Sequence, residues 1–159
     1  MTDLKAAAPS KVPWPPIVYL LAIVAAAALG MLYPLPWITE PLSDLLYAAG
    51  WLALVGVVAI YYSAMQTLKR AKTTIRPDRP SEHLVTSGAF SFTRNPIYFA
   101  NTVLMIAVGL ITANVWFIFL AVIAAYATQK LAIVPEEKHL QARFGKKYID
   151  YTKKVRRWI

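Results

Sequence analysis

Apolar residues fall into four long runs, which are separated by polar or proline-rich stretches of different lengths. The first two runs are about 17 and 20 residues long, close to the roughly 20 apolar residues that cross a bilayer. Prolines at 34, 36 and 41 break the chain between them, and Thr112-Ala113-Asn114 predicts a tight turn between the last two. The pattern therefore predicts an all-α integral membrane protein with about four transmembrane helices: Ile17–Tyr33, Leu45–Met65, Ile97–Ile111 and Val115–Val134.

The C-terminal part of the chain has a different pattern. Beyond Glu136, large apolar residues recur every three or four positions with Lys and Arg between them. This spacing is typical of an amphipathic helix, and its basic face suits an anionic membrane surface. We expect Gly145 to kink this interfacial helix or to divide it. The apolar stripe consists of Leu140, Phe144, Tyr148, Tyr151 and Val155.

Composition supports a membrane protein and excludes several kinds of site. Of the 159 residues, 58% are hydrophobic and only 16% are charged, an unusual balance for a soluble domain of this size. The chain has no cysteine, which excludes disulfides, zinc–thiolate sites and cysteine nucleophiles. It has two histidines, too few for a histidine-based metal cage, so no metal is expected.

The basic residues predict an orientation in the membrane. Of the 17 Lys and Arg residues, two precede the first run, six lie between Lys69 and Arg94, and nine lie from Lys130 onward. The loops at 34–44 and 112–114 have none. The positive-inside rule then places both termini and the 69–94 loop in the cytoplasm. Topology thus explains the net charge of +9, and no nucleic-acid partner is expected. A cleavable signal peptide ending near Ala25–Ala28 is the competing interpretation of the first run.

Two polar passages are placed at the same membrane face by this topology. One is Thr86–Tyr98, where Asn95-Pro96 is a natural helix start and Arg94 suits a carboxylate or phosphate. The other is Pro135-Glu136-Glu137, whose two carboxylates could hold a cationic ligand. Each passage also has a simpler interpretation, namely an ordinary helix start. A proline that follows a capping residue, or that precedes acidic residues, is common in the first turn of a helix.

The motifs in these passages resemble those of the isoprenylcysteine carboxyl methyltransferase and phospholipid methyltransferase superfamily, which consists of multi-pass membrane enzymes that use S-adenosylmethionine. Three segments have the order and spacing of that superfamily: Leu84–Phe90, Arg94–Tyr98 and Glu136–Tyr151. The resemblance covers roughly residues 80–157. It implies a single membrane methyltransferase domain over residues 1–159, with two N-terminal spans in 1–67 and a cofactor-binding half in 68–159.

The resemblance also implies which residues form the site. Arg94 and Glu136 are the candidate catalytic residues. The expected product of the cofactor is S-adenosylhomocysteine. The residues implied to contact S-adenosylmethionine are His83, Leu84, Val85, Phe90, Asn95, Pro96, Ile97, Tyr98, Glu136 and Glu137.

Departures from the family pattern leave the acceptor open. Phe90 replaces the usual tyrosine, Asn95 stands where the prenylcysteine enzymes have histidine, and Ala132 occupies the position of their substrate-binding arginine. The expected activity is methyl transfer to a lipophilic or membrane-partitioning acceptor of the carboxylate or thiol type, at the cytoplasmic face of the cell membrane. The alternatives are N-methylation of a phospholipid of the phosphatidylethanolamine type, and a non-catalytic membrane scaffold or lipid-binding protein.

Overall fold

The structure is a computed structural model that describes residues 12–71 and 83–159. The basic residues Lys5, Lys11, Lys72, Arg76 and Arg79 lie outside the described residues. Within them the fold is all-α, as predicted, with a short 3₁₀ helix at Gly88–Ser91 and a π-helical turn at Gln129–Ile133. The α-helices are α1 (Trp14–Leu32), α2 (Leu42–Arg70), α3 (Pro96–Ile111), α4 (Val115–Thr128), α5 (Val134–Phe144) and α6 (Lys146–Lys154).

The four apolar helices pack side by side through small residues. Helix α3 lies between α2 and α4, and α1 packs on the other side of α4. The predicted turn at 112–114 is confirmed, since the Asn114 side chain accepts a hydrogen bond from the Trp116 N–H at 3.1 Å and so caps α4. Small side chains let helices approach closely without help from the hydrophobic effect. Those buried at the helix contacts are Ala26, Ala64, Ala100, Ala107, Ala121 and Ala124.

Large apolar side chains point away from the bundle. On α1, α2 and α4, residues such as Leu21, Leu52 and Val122 are each more than 60% exposed. Helix α4 is continuous with α5, and together they span Val115–Phe144. This long helix, α1 and α2 are each long and apolar enough to cross a membrane. A soluble protein rarely exposes so large an apolar surface. The chain is therefore a membrane protein.

The predicted count of four spans is corrected by the length of α3. The helix contains 16 residues and ends at Ile111, so it falls short of the other three. At about 1.5 Å per residue it is roughly 24 Å long, less than the ~30 Å of a typical hydrocarbon core. Pro96 at its first position and the turn at its last limit this length. The structure has three long spans and one shorter apolar helix among the described residues.

The two acidic residues lie inside a continuous helix and not at the start of a new one. Helix α4 continues through the π-helical turn Gln129–Ile133 directly into α5, and Pro135 is the second residue of α5. Proline cannot donate the helical hydrogen bond and clashes with the preceding turn of an α-helix. The wider π-helical turn lies where that clash would occur, so the helix continues past Pro135.

The apolar stripe of the C-terminal segment packs against the protein and is not presented to lipid. Gly145 has φ +51° and divides the segment into α5 and α6, as expected. The apolar residues of α6 and its end, Tyr148, Tyr151 and Val155, are at most 8% exposed and pack against Leu84. The basic residues of α6 remain on the outside.

Two glycines of α2 provide a test of the close packing between α2 and α3. A Cβ atom at Gly50 would lie 2.8 Å from Cγ1 of Ile111 and 3.1 Å from the Ala107 carbonyl oxygen, whereas at Gly56 it would meet nothing within 4 Å. We expect Gly50→Ala to lower the free energy of unfolding by about 1–3 kcal/mol through overpacking. Gly56→Ala, the matched control, should raise it by about 0.5–1 kcal/mol through helix propensity. Unfolding in mixed micelles, followed by circular dichroism, measures both; equal effects would contradict this packing.

Candidate active site

The loop before α3 forms one wall of the candidate site. Its 3₁₀ helix begins at Gly88, whose φ of +61° favours glycine and whose Cα lies against Thr67 of α2. The Tyr151 hydroxyl donates to the Phe90 carbonyl oxygen at 2.5 Å, which ties the loop to α6. Thr93, farther along the loop, is only 3% exposed. The loop is thus held between α2 and α6.

The C-terminal segment after α6 lies along this loop. Thr93 and Arg156 form a parallel β-bridge, and the Arg94 N–H donates to the Arg156 carbonyl oxygen at 3.0 Å. The carbonyl oxygen of Arg157 accepts from the Thr93 hydroxyl at 3.0 Å and from the Asn95 side-chain amide at 2.9 Å. These bonds occupy the Asn95 side chain, which makes no capping bond to α3.

Glu137 joins the two segments through its carboxylate. Its Oε1 forms an ion pair with Nη2 of Arg94 at 3.1 Å and accepts a hydrogen bond from Nε of Arg157 at 2.9 Å. Its Oε2 accepts from Nη2 of Arg157 at 2.6 Å, so Arg157 binds in the bidentate mode. The side chains of Arg94 and Glu137 are 13% and 16% exposed. The ion pair therefore lies largely out of water.

Glu136 is held separately, by α3. The Tyr98 hydroxyl donates to Glu136 Oε1 at 3.0 Å. Among the described residues, no group donates to the other oxygen, Oε2. The backbone of Tyr98 is fixed in turn, because the Tyr19 hydroxyl of α1 donates to its carbonyl oxygen at 3.1 Å. The two adjacent acids thus differ: both oxygens of Glu137 are occupied, and one oxygen of Glu136 is not.

Arg94 has a buried donor, its Nε, without a hydrogen-bond partner among the described residues. Buried polar groups are nearly always bonded, and an orphan needs an explanation. Arg94, which pairs with Glu137, and Oε2 of the adjacent Glu136 offer a cationic donor and an anionic acceptor at the same end of the bundle.

Burial and the charges of the ion pair shift the pKa values of two groups at this site, Tyr148 and Arg157. Burial, and then the charge of Glu137, raise the pKa of the Tyr148 hydroxyl to about 12, so it remains neutral at physiological pH. The hydrogen bonds that Arg157 donates to Glu137 raise the pKa of its guanidinium. Arg157 therefore stays charged, and so provides a permanent counter-charge for Glu137.

Comparison with known proteins identifies the family of the chain. A family model described as phospholipid methyltransferase matches residues 45–147, nearly two-thirds of the chain. The chain belongs to the phospholipid methyltransferase family. No curated protein and no solved structure matches it significantly. Family membership confirms the resemblance that the sequence motifs predicted and indicates a membrane methyltransferase.

In this family member, the structure brings most of the predicted site residues to one end of the bundle. Arg94, Asn95, Tyr98, Glu136 and Glu137 belong to the cluster of hydrogen bonds and ion pairs described above. Pro96 is buried at the start of α3, with Ile97 half-buried beside it.

The upstream residues lie around the cluster and not in it. Leu84 packs on the tyrosines of α6, Val85 is half-buried, and Phe90 joins the cluster through its backbone. His83 is exposed. Ala132, at the position where the prenylcysteine enzymes have an arginine, is 4% exposed within the helix. Within the described residues, no group of three or more His, Cys, Asp or Glu residues could hold a metal ion.

Sequence reasoning missed the contribution of the C-terminal segment. Arg157 completes the Glu137 pair, and Nε1 of Trp158 donates to Oε1 of Gln129 at 2.7 Å. Both residues lie beyond the range of the family match. In the sequence, Arg157 resembles one more cation of a basic helix. A single Trp near Arg in a basic segment has no distinctive spacing, so no pattern marked these two residues.

The tie between α6 and the loop can be tested by removing one hydroxyl. Tyr151→Phe leaves the Phe90 carbonyl oxygen without its partner, and should lower the free energy of unfolding by about 1 kcal/mol. Tyr47→Phe is the matched control, since Tyr47 is half exposed and makes only a ring contact with Trp51. Denaturant titration of both variants in detergent measures the difference, and an unchanged Tyr151→Phe midpoint would contradict the tie.

Proposed function

We propose that this protein transfers a methyl group from S-adenosylmethionine to a lipophilic acceptor in the membrane. The observation that supports the proposal is the complementary pair of unused groups, the buried Nε of Arg94 and Oε2 of Glu136. The amino-acid part of S-adenosylmethionine has one carboxylate and one ammonium group. An arginine beside a carboxylate matches those two charges in sign and number. The residues present therefore fit the cofactor.

Each site residue has a role in this proposal. Arg94 binds the carboxylate of the cofactor, Glu136 binds its ammonium or hydroxyl groups, and Tyr98 fixes the orientation of Glu136. Glu137 does not bind the cofactor directly in this proposal, because both of its oxygens are held by arginines; it acts through Arg94. The aromatic rings of Phe90 and Tyr98 flank the adenine or the sulfonium, with His83, Leu84, Val85, Asn95, Pro96 and Ile97 completing the pocket wall.

The chemistry needs little from the protein beyond alignment. When bound, S-adenosylmethionine supplies an electrophilic methyl group on a positively charged sulfur. Transfer of this group is an in-line displacement, for which orientation and exclusion of water provide most of the rate. The burial of Arg94 and Glu137 under the C-terminal segment suits such exclusion.

The position of the site suggests how the acceptor arrives. The cluster lies at the end of the bundle where α2 ends and α3 begins, next to faces covered by exposed apolar side chains. A lipophilic acceptor would reach it sideways from the bilayer, and the cofactor from water. We propose that this end is cytoplasmic, since the basic residues concentrate there.

The acceptor has two candidate classes. A carboxylate or thiol acceptor follows from the resemblance to the prenylcysteine enzymes. A phospholipid amine is favoured by the family match and by Ala132, which offers no cation for an anionic substrate. Between these two, the observations favour the lipid amine.

Binding of S-adenosylhomocysteine to purified protein in detergent tests the cofactor. We expect wild-type binding by calorimetry, and a decrease of about tenfold or more for Glu136→Gln, because a charge-assisted hydrogen bond contributes about 1.5–3 kcal/mol. Asp150→Asn, a matched loss of an exposed carboxylate on α6, should bind like the wild type. Folded protein that binds neither the cofactor nor this product would contradict the proposal and would support a membrane scaffold instead.

A further inference from the structure

Two arginines share Glu137, and they share it unequally. Arg157 donates two hydrogen bonds, one to each oxygen, at 2.9 and 2.6 Å. Arg94 makes one contact, at 3.1 Å, and its Nε is buried without a partner among the described residues. A bidentate guanidinium–carboxylate pair is the stronger arrangement. Arg157 is therefore the principal partner of Glu137, and Arg94 is the secondary one.

The position of Arg157 does not depend on Glu137 alone. Its carbonyl oxygen is held by Thr93 and Asn95, and the next residue, Trp158, is bonded to Gln129. The backbone of this segment is thus fixed on both sides of the Arg157 side chain. Such an arrangement presents the guanidinium to Glu137 already oriented, which lowers the entropic cost of the bidentate pair.

We propose that Arg157 is a positioning residue that holds Glu137 and thereby leaves the guanidinium of Arg94 available to the carboxylate of the bound cofactor. The inference rests on the proposed function and extends it to a residue beyond the matched range 45–147. Without Arg157, Oε2 of the largely buried Glu137 would lose its partner. An unpaired buried carboxylate is costly, so it would draw Arg94 into a bidentate pair and neutralise the charge that the ligand needs.

A purely structural role for Arg157 makes a different prediction. If Arg157 only holds the C-terminal segment in place, substituting Glu137 as well would lower the binding affinity further or leave it as low as in the Arg157 variant. If Arg157 prevents Glu137 from capturing Arg94, removing Glu137 as well would restore the binding. The double variant therefore separates the two roles.

The experiment measures S-adenosylhomocysteine binding by calorimetry on full-length protein in detergent. We expect Arg157→Gln to weaken binding about tenfold, and the double variant Arg157→Gln with Glu137→Gln to recover to within about threefold of the wild type. Arg157→Lys keeps the charge but cannot form the bidentate pair of hydrogen bonds, so its binding affinity should lie between those of the wild type and Arg157→Gln. Lys154→Gln removes the same charge from an exposed position three residues earlier and should leave binding unchanged.

The outcomes distinguish this inference from the proposed function. Wild-type protein that fails to bind would refute both. Wild-type binding with an unchanged Arg157→Gln, or a double variant that binds no better than Arg157→Gln alone, would overturn only the positioning role. Should Arg157→Gln not fold, as judged by its thermal midpoint, the Arg157→Lys variant with and without Glu137→Gln gives the same comparison.

Discussion

The carboxylate of Glu137, which is only 16% exposed, is the constraint on which the site depends. It lies on the helix that continues α4, and its two arginine partners come from the loop before α3 and from the segment after α6. Taking such charges out of water is costly, and removing one partner of a buried pair costs about 3–5 kcal/mol. The three segments must therefore meet at this point. Their meeting also brings Glu136 to Tyr98 and leaves part of Arg94 unbonded.

The membrane bundle sets the geometry of this meeting point. Helices that contact through alanines lie close together, and the π-helical turn at Gln129–Ile133 lets one helix continue through Pro135 to the two acids. The tyrosines of α6 then pack inward on the loop and cover the ion pair. A helix that ended at Pro135, or a stripe that faced lipid, would leave Glu137 in water. The packing of the apolar bundle thus determines that Glu137 lies largely out of water.

Much of the fold and site followed from the sequence, for physical reasons. Apolar runs report membrane helices directly, and the turn at 112–114 is local, so both were predictable. Arg94, Tyr98 and the acids were predictable as neighbours because topology places them at one end. The different hydrogen-bond partners of Glu136 and Glu137 were not predictable, since those of Glu137 come from Arg157, 20 residues away, through tertiary contacts. Nor was the direction of the α6 stripe, because the same spacing suits a protein face and a lipid face.

Transfer of a labelled methyl group to membrane lipid tests the central claim most directly. Wild-type protein, incubated with S-adenosylmethionine labelled at the methyl group and a membrane lipid extract, should place the label in a lipid that chromatography separates by headgroup. Glu136→Gln should reduce the label by about tenfold or more, as the loss of a charge-assisted hydrogen bond predicts. Label confined to the aqueous phase, with folded protein that binds S-adenosylhomocysteine, would contradict a lipophilic acceptor.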